Sequence, residues 1–371
     1  MTLPIKPKNK YTLPAYGTWK PSVHVFDERT INALIAAWLS ERPLLVRGDP
    51  GTGKSQLARA AAVALNWEFV SEVVSAHTDI QDLWYRFDAV SRLGQAQLLS
   101  AFRDKLDPEA LKAELDPRKF LSPGALWWAY DWKTAQEYYR TSDFKLYHPN
   151  PQQEQKWEAA QKLGVDGADE SGEKFAEPEL PKGVVLLIDE IDKADADLPN
   201  SLLETLDNAR FRVPWVNDSI GYRTDDEDAI RPLVIITTNE DRQLPPAFVR
   251  RCLVLNLELP EKEGALISYL VQRGEEHFTT DDGQPLFGEK VMTAAAQQLY
   301  QDRLEAVGLG FKPPGQAEYL DMLRVLSRME LDETEQLEKL RQIQDFALKK
   351  HPGMKQQVNN DSLDNEDEDD E

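Results

Sequence analysis

Apolar runs of strand length recur along this chain, and glycine, proline or polar residues bound each of them. The run Gly183–Ile188 (GVVLLI) contains no polar residue, which is typical of a central parallel strand buried on both faces. Further strands are predicted at residues 44–46, 69–74, 233–238 and 253–257. Since helical segments separate them, we predict an α/β fold.

Helical periodicity accounts for many of the residues between these strands. The apolar residues Ile31, Leu34, Ile35 and Leu39 have the spacing of a buried helical stripe, and Asp27 can cap that helix. Further helices are predicted at residues 56–64, 95–119, 198–209 and 244–251. Residues 211–232 alternate weakly and contain four consecutive acids at 225–228, which predicts a hairpin with a charged tip.

Changes in the hydrophobic pattern along the chain indicate where its domains begin and end. We predict an extended N-terminal arm at 1–25, an α/β domain at 26–260, a polar insertion within it at about 133–181, a helical domain at 261–350 and a disordered acidic tail at 351–371. The insertion is poor in aliphatic residues, and we expect its part at 164–181 to be mobile. The tail has two interpretations, a solubilising segment or a docking peptide.

Composition narrows the class of protein. Hydrophobic residues make up 41% and charged residues 29% of the 371 residues, and no run approaches the 18 apolar residues of a membrane span. The N-terminus has no apolar segment typical of a secretory signal. The single cysteine, Cys252, fits a reducing compartment and is expected to be buried and inert, so we predict a cytoplasmic protein.

Charge argues against nucleic acid as a partner. The net charge is −22, and the last eleven residues contribute eight acids and no base, so the rest of the chain still carries −22 + 8 = −14. A protein this acidic has no overall attraction to a phosphate backbone. A small basic patch inside an assembly would be compatible with this charge, so nucleic acid is an unlikely but open alternative.

A phosphate-binding loop follows the strand at 44–46. Residues 48–55 (GDPGTGKS) match the pattern G-x-x-x-x-G-K-[ST] between a predicted strand and a predicted helix. Backbone N–H groups of such a loop and the helix N-terminus bind phosphate oxygens. Lys54 can reach the β- and γ-phosphates, and the Ser55 hydroxyl can bind Mg²⁺. The predicted nucleotide-binding residues are Gly48, Asp49, Pro50, Gly51, Thr52, Gly53, Lys54, Ser55 and Gln56.

Two acids end the apolar strand at 183–188. Asp189 can hold Mg²⁺ together with Ser55, and Glu190 can polarise the water that attacks the γ-phosphate. Asn239 ends the strand at 233–238, where its amide can orient the same water. The sequence therefore predicts a nucleotide with a γ-phosphate and Mg²⁺ as ligands, and the resemblance described below implies that the nucleotide is ATP.

Arg250 and Arg251 follow the predicted helix at 244–251. A guanidinium presented to the γ-phosphate of a neighbouring subunit would neutralise charge in the transition state. Adjacent residues on a helix point in different directions, so at most one of the two arginines has this role. Trp127, Trp128 and Trp132 are predicted to anchor the insertion, with base stacking as a less favoured alternative.

These residues resemble the AAA+ ATPases and, among them, the MoxR-type family. The segments GDPGTGKS, LSPGALWWA, VLLIDEIDKAD, IITTN and LPPAFVRRC occur in that family's order, and the resemblance covers roughly residues 26–350. It implies a P-loop core with a five-stranded parallel sheet, a C-terminal four-helix lid and a homo-oligomeric ring that we expect to be a hexamer. By position, Arg251 is the residue that the resemblance assigns as the arginine finger.

Two features depart from the family pattern. The lid turn Lys312–Ala317 (KPPGQA) has no arginine where the family has its second sensor arginine. Either Lys312 replaces it or sensing of the γ-phosphate from the lid is weakened. The insertion at 133–181 interrupts a segment that is continuous in the family, and we expect it to carry partner specificity.

The sequence thus predicts an ATPase that hydrolyses ATP to ADP and phosphate. The resemblance implies a chaperone-like remodeller of a partner protein with a von Willebrand factor type A domain. Three alternatives stay open. They are a nucleic-acid motor of a restriction or defence type, a small-molecule P-loop kinase, and an ATP-gated scaffold with slow turnover.

Overall fold

The computed structural model describes residues 3–101, 107–162, 179–216, 219–222, 231–279, 284–329 and 331–348. The chain divides into two compact units. The first consists of Met1–Ile5, Glu28–Val46 and Ala58–Leu255. The second consists of Lys6–Asp27, Arg47–Leu57 and Asn256–Glu371.

Eleven strands are present in the described part of the chain. They are β1 Lys10–Leu13, β2 Ser22–Val25, β3 Leu44–Arg47, β4 Glu68–Val73, β5 Tyr85–Phe87, β6 Leu121–Pro123, β7 Val184–Asp189, β8 Arg210–Phe211, β9 Ile220–Gly221, β10 Leu233–Thr238 and β11 Leu253–Asn256.

Fourteen α-helices accompany them in the same described ranges. They are α1 Glu28–Leu39, α2 Lys54–Leu65, α3 Ile80–Trp84, α4 Ala89–Ser100, α5 Pro108–Glu114, α6 Ala125–Tyr130, α7 Trp132–Thr141, α8 Pro151–Lys162, α9 Asp197–Asn208, α10 Pro246–Arg251, α11 Glu263–His277, α12 Glu289–Gly308, α13 Gln316–Leu326 and α14 Glu333–Ala347.

The main sheet is five-stranded and parallel, with the order β11-β3-β10-β7-β4. This confirms the α/β fold class and the five strands predicted from the apolar runs. All six residues of β7 and all six of β10 are buried, because helices cover both faces of the sheet. In the register of these two strands Ile236 is paired with Ile188, so Thr237 and Asp189 follow one step further along.

Four helices, α11 to α14, form the C-terminal region, which confirms the four-helix lid. Their apolar faces meet in a separate core that includes Leu270, Val291, Leu299, Tyr319 and Leu323. No described helix is long and apolar enough to cross a membrane.

The N-terminal arm is not simply extended. Its strands β1 and β2 pair in an antiparallel hairpin, with Lys10 opposite Val25. The hairpin belongs to the second unit, where Arg273 of α11 donates to the Val25 carbonyl at 3.2 Å. Hydrogen bonds to distant parts of the chain therefore hold a segment whose composition alone indicates only extension.

The insertion begins as ordered helix. Helix α7 packs against the aromatic residues of α6, and Glu154 of α8 pairs with Arg140 of α7 at 2.7 Å. Trp127 and Trp128 are completely buried. Trp128 lies edge-on to Trp132 at 5.0 Å between ring centroids. Trp127 and Trp128 are therefore part of the core and Trp132 packs against it, which is consistent with the anchoring interpretation. The expected mobile part at 164–181 lies mostly outside the described residues.

Two local predictions were wrong in detail. The helical stretch predicted at 95–119 is divided, since α4 ends at Ser100 and α5 starts at Pro108 behind the Asp107 cap. The hairpin after α9 joins β8 to β9, so its connecting loop is 212–219 and the acids at 225–228 follow the second strand. Those acids and the tail at 351–371 lie outside the described residues.

Candidate functional site

The loop between β3 and α2 has the backbone of a phosphate-binding loop. Gly48, Gly51 and Gly53 have φ values of 151°, 80° and 90°, a region that disfavours residues with a side chain. A Cβ on Gly48 would lie 2.4 Å from the Leu257 carbonyl oxygen. Glycine is therefore required at residue 48 by both backbone angle and space.

Lys54 is held inside this loop. Its side chain is 7% exposed, and its Nζ donates to the carbonyls of Gly48 at 2.7 Å and Asp49 at 2.9 Å. Helix α2 begins at Lys54, and the N-terminus of a helix favours an anion. The Gln56 side chain donates instead to the Val23 carbonyl at 3.0 Å, so only the backbone of Gln56 belongs to this anion-binding end.

The turn at the start of α13 contacts the loop. The backbone N–H of Ala317 donates to the Gly51 carbonyl at 3.2 Å. Gln316 faces the other way and accepts a hydrogen bond from Tyr269 at 2.7 Å. Lys312, the residue suggested to replace the missing arginine, is exposed.

Arg303 brings a different cation to this turn. Its guanidinium, on α12, donates to the Pro314 carbonyl. Burial lowers the pKa of Arg303, and the nearby charges of Asp49 and Glu318 raise it. An arginine outside the lid turn thus lies close in space to the phosphate loop, which its place in the sequence did not reveal.

In the first unit, Asp189 and Thr237 form a buried pair. The carboxylate of Asp189 is 8% exposed, and the Thr237 hydroxyl donates to its Oδ1 at 2.5 Å. The same hydroxyl accepts from the Glu190 backbone N–H at 2.9 Å. Thr237 thus orients both acids of the predicted pair, a role that its place in the motif IITTN did not indicate.

Glu190 lies at the end of β7 with a left-handed backbone, at φ 59° and ψ 48°. Its Oε1 accepts from the Asn239 amide at 3.2 Å, and its Oε2 pairs with Lys193. This hydrogen-bonded pairing raises the pKa of Lys193. A non-glycine residue at positive φ costs of order 1 kcal/mol and is often found at functional sites.

Asp192 braces the loop that carries Asn239. It is 2% exposed and accepts from the backbone N–H groups of Asn239 at 3.3 Å and Asp241 at 2.9 Å. The structure therefore brings Asp189, Glu190 and Asn239 together, as predicted, and adds Thr237 and Asp192 as residues that orient them.

Arg250 and Arg251 lie at the exposed end of α10. The Arg251 side chain is 51% exposed, and its Nε is 3.2 Å from the Asp207 carboxylate of α9. Cys252 is buried, as predicted.

The chemistry of the donors fits Mg²⁺. In the first unit, Asp189 supplies a carboxylate oxygen, a hard ligand of the kind that Mg²⁺ takes alongside water and phosphate oxygens. No group of three metal-binding His, Cys, Asp or Glu residues occurs in the described ranges. A site completed by substrate phosphates needs no such group.

A comparison with known protein families identifies the family of this chain. Residues 43–252, more than half of the 371, match the family model of the AAA domain (dynein-related subfamily). No curated protein matches the chain in sequence.

Two solved structures have weak similarity to the chain. One is a protein of Cytophaga hutchinsonii with a proposed ATPase activity, at 11% identity and a TM-score of 0.32, covering 86% of this chain and 79% of that one. The other is PCH-2 of C. elegans, at 14% identity and a TM-score of 0.34, covering 85% and 68%.

Proposed function

Because this chain belongs to the AAA domain family, in its dynein-related subfamily, and is therefore an ATPase, we propose that it is a Mg²⁺-dependent, ring-forming ATPase of the MoxR type. The observation that carries the proposal is the cluster of Asp189, Thr237, Glu190 and Asn239 at the ends of β7 and β10. It provides a metal ligand, a base and a water-orienting amide on neighbouring strands.

Hydrolysis begins when Glu190 polarises a water molecule for in-line attack on the γ-phosphate of ATP. Both oxygens of the Glu190 carboxylate are engaged, one by Asn239 and one by Lys193. Glu190 must therefore exchange at least one of these contacts for the water. Asn239 remains beside it and orients that water through its amide.

Lys54 and an arginine of the next subunit neutralise the charge that develops on the γ-phosphate. Bound at Ser55 and Asp189, Mg²⁺ would stabilise the phosphate oxygens as a Lewis acid. We assign the trans-acting role to Arg251, whose exposed side chain pairs with the exposed carboxylate of Asp207. An exposed ion pair of this kind is worth at most about 1 kcal/mol, so a phosphate can displace it.

The proposed biological role is remodelling of a partner protein. The resemblance to MoxR-type ATPases supports a partner with a von Willebrand factor type A domain, and the net charge of −22 argues against a phosphate backbone.

The first test measures the ATPase rate and the molecular mass over a range of protein concentrations. We expect the rate per subunit to rise as the ring forms. Glu190→Gln should lower the rate at least about 10²-fold while ATP binding is retained. Arg251→Ala should lower it on the order of 10³-fold.

Arg250→Ala is the matched control, because it removes the same charge from the adjacent position. A flat rate in a monomer that is insensitive to Arg251 would contradict the trans mechanism. Ring formation and tight ATP binding without turnover would favour the slow scaffold. A partner search with the ATP-bound Glu190→Gln ring would contradict the remodelling role if it recovered nucleic acid instead of protein.

A further inference from the structure

Arg42 binds the end of the helix that presents Arg251. Its Nε donates to the Arg251 carbonyl at 2.9 Å, and its Nη2 donates to the Cys252 carbonyl at 3.1 Å. Nη2 also contacts the Arg250 carbonyl. One guanidinium therefore serves three consecutive backbone carbonyls that lie more than 200 residues away in sequence.

The backbone around Arg42 places its side chain at the end of α10. Helix α1 ends with Glu41 in the left-handed region, at φ 55°, and the Arg42 N–H returns to the Ala37 carbonyl at 3.1 Å. Directly afterwards the Pro43 carbonyl accepts from the Leu253 N–H at 2.8 Å. This bond sets β3 beside β11, so the side chain that precedes β3 lies against the residues that precede β11.

Helix α10 depends on this contact because it is short. It has six residues, and the last carbonyls of a helix have no partner within the helix. The end of a helix also carries a partial negative charge that a guanidinium stabilises. The planar, multidentate guanidinium can hold several carbonyls at once, which an ammonium cannot do in the same geometry.

Asp207 holds the same arginine from the other side, through its side chain. The carboxylate is on α9 and contacts Arg251 Nε at 3.2 Å. The backbone of Arg251 is thus fixed by Arg42, and its side chain is held by an exchangeable partner. This arrangement fixes the backbone position of Arg251, while its guanidinium can exchange the Asp207 carboxylate for another anion.

We propose that Arg42 is a positioning residue for Arg251, acting on the catalysis of the neighbouring subunit and not on its own site. The proposal rests on the proposed function of Arg251. Without Arg42, the carbonyls of residues 250–252 lose the hydrogen bonds that Arg42 donates, and the Arg251 guanidinium is no longer held in one direction. A misplacement of about 1 Å can cost on the order of 10²-fold in rate.

Mixed rings of the full-length chain test this directly. Subunits with Arg251→Ala keep an intact site but give no arginine, whereas Glu190→Gln subunits are inactive but can donate one. Mixing the two should restore ATPase activity. The donor Glu190→Gln/Arg42→Ala should restore about 10²-fold less, and Arg42→Lys in the donor should recover part of the loss.

The same substitution in the acceptor is the matched control. Acceptors with Arg251→Ala/Arg42→Ala should be activated by the Glu190→Gln donor as well as acceptors with Arg251→Ala alone. Arg29→Ala, on the exposed face of α1, controls for loss of a positive charge. Thermal unfolding and ATP affinity of each variant report whether it is folded.

Each outcome distinguishes the two proposals. If Arg42→Ala lowers the restored activity equally in donor and acceptor, or in neither, the positioning role is wrong while the trans role of Arg251 stands. If the Glu190→Gln donor does not activate Arg251→Ala subunits at all, the trans role is wrong and the positioning role fails with it.

Discussion

At the scale of single residues, Thr237 shows how one hydroxyl can organise two acids. It donates to Asp189 and accepts from the Glu190 N–H, and it is completely buried. The valine side chain has nearly the same shape without the hydroxyl, so a change to valine removes two hydrogen bonds and leaves the packing intact.

We expect Thr237→Val to lower the free energy of unfolding by about 1–3 kcal/mol, because a buried carboxylate loses its donor. The ATPase rate should fall as well, since both acids lose their orientation. Urea unfolding and steady-state kinetics measure the two effects.

Thr238→Val is the control for Thr237. Thr238 is equally buried, but its hydroxyl accepts only from the Glu240 N–H at 3.0 Å among the bonds described. Equal losses of activity in the two variants would contradict the specific role of Thr237.

Arg303 is a second residue whose position indicates a role, in this case in binding the phosphates of ATP. Its guanidinium lies near Asp49 and contacts the turn before α13. Bound phosphates would place negative charge near a partly buried cation, where electrostatic attraction is stronger than in bulk water.

We expect Arg303→Ala to weaken ATP binding about tenfold, equivalent to about 1.4 kcal/mol. Lys312→Ala, which removes an exposed cation from the turn itself, should have a smaller effect. ATP titrations of both variants show whether Arg303 or Lys312 contributes more to ATP binding. A larger effect of Lys312→Ala would make Lys312 the lid cation instead.

At the scale of elements, α6, α7 and α8 enclose an aromatic cluster with a buried histidine. His148 lies 4.7 Å from Trp128 and 4.9 Å from Tyr139 between ring centroids. Its Nδ1 accepts from the Asn150 N–H at 3.0 Å, and its Nε2 is 3.8 Å from Glu154. His148 is 7% exposed, so the imidazole is buried.

Burial lowers the pKa of His148 to about 4 from an ordinary value of 6.5, although Glu154 opposes the shift. Between pH 6.5 and about 4 the unfolded chain therefore binds a proton that the folded protein does not. Stability conferred by the neutral imidazole is lost as the pH falls through this range, by at most about 1.4 kcal/mol per pH unit.

We expect His148→Gln to make stability less dependent on pH between 6.5 and 4, as measured by chemical unfolding at several pH values. His77→Gln, at an exposed position, is the matched control. If the free energy of unfolding depends on pH in the same way for both variants, the interpretation of His148 as a neutral, buried imidazole is wrong.

At the scale of the whole molecule, strands and phosphate loop could be predicted because their signals are local. An uninterrupted apolar run such as residues 183–188 is typical of a parallel strand buried on both faces, and it can be identified without reference to the rest of the chain. The pattern of residues 48–55 likewise places glycines, lysine and serine on consecutive positions of one loop. The acids at 189 and 190 follow their strand directly, so their place at its end was also evident.

The N-terminal hairpin could not be predicted in the same way. The backbone bonds that pair β1 with β2 join residues up to fifteen positions apart, and the arm's prolines and lysines indicate only extension. Likewise, Asp107 and Pro108 start a new helix within a stretch whose composition reads as continuous helix. Such boundaries depend on caps and packing more than on periodicity.

The sequence by itself therefore determined the fold class and most of the residues predicted to act on ATP, because each belongs to a short continuous motif. Only the tertiary structure decided which residues support them. Arg42 reaches α10 from 209 positions away, Thr237 reaches Asp189 from 48, and Arg303 reaches the lid turn from the previous helix. An ordinary arginine or threonine has no local signal for such a role, since the role exists only when folding brings its partner into hydrogen-bonding distance.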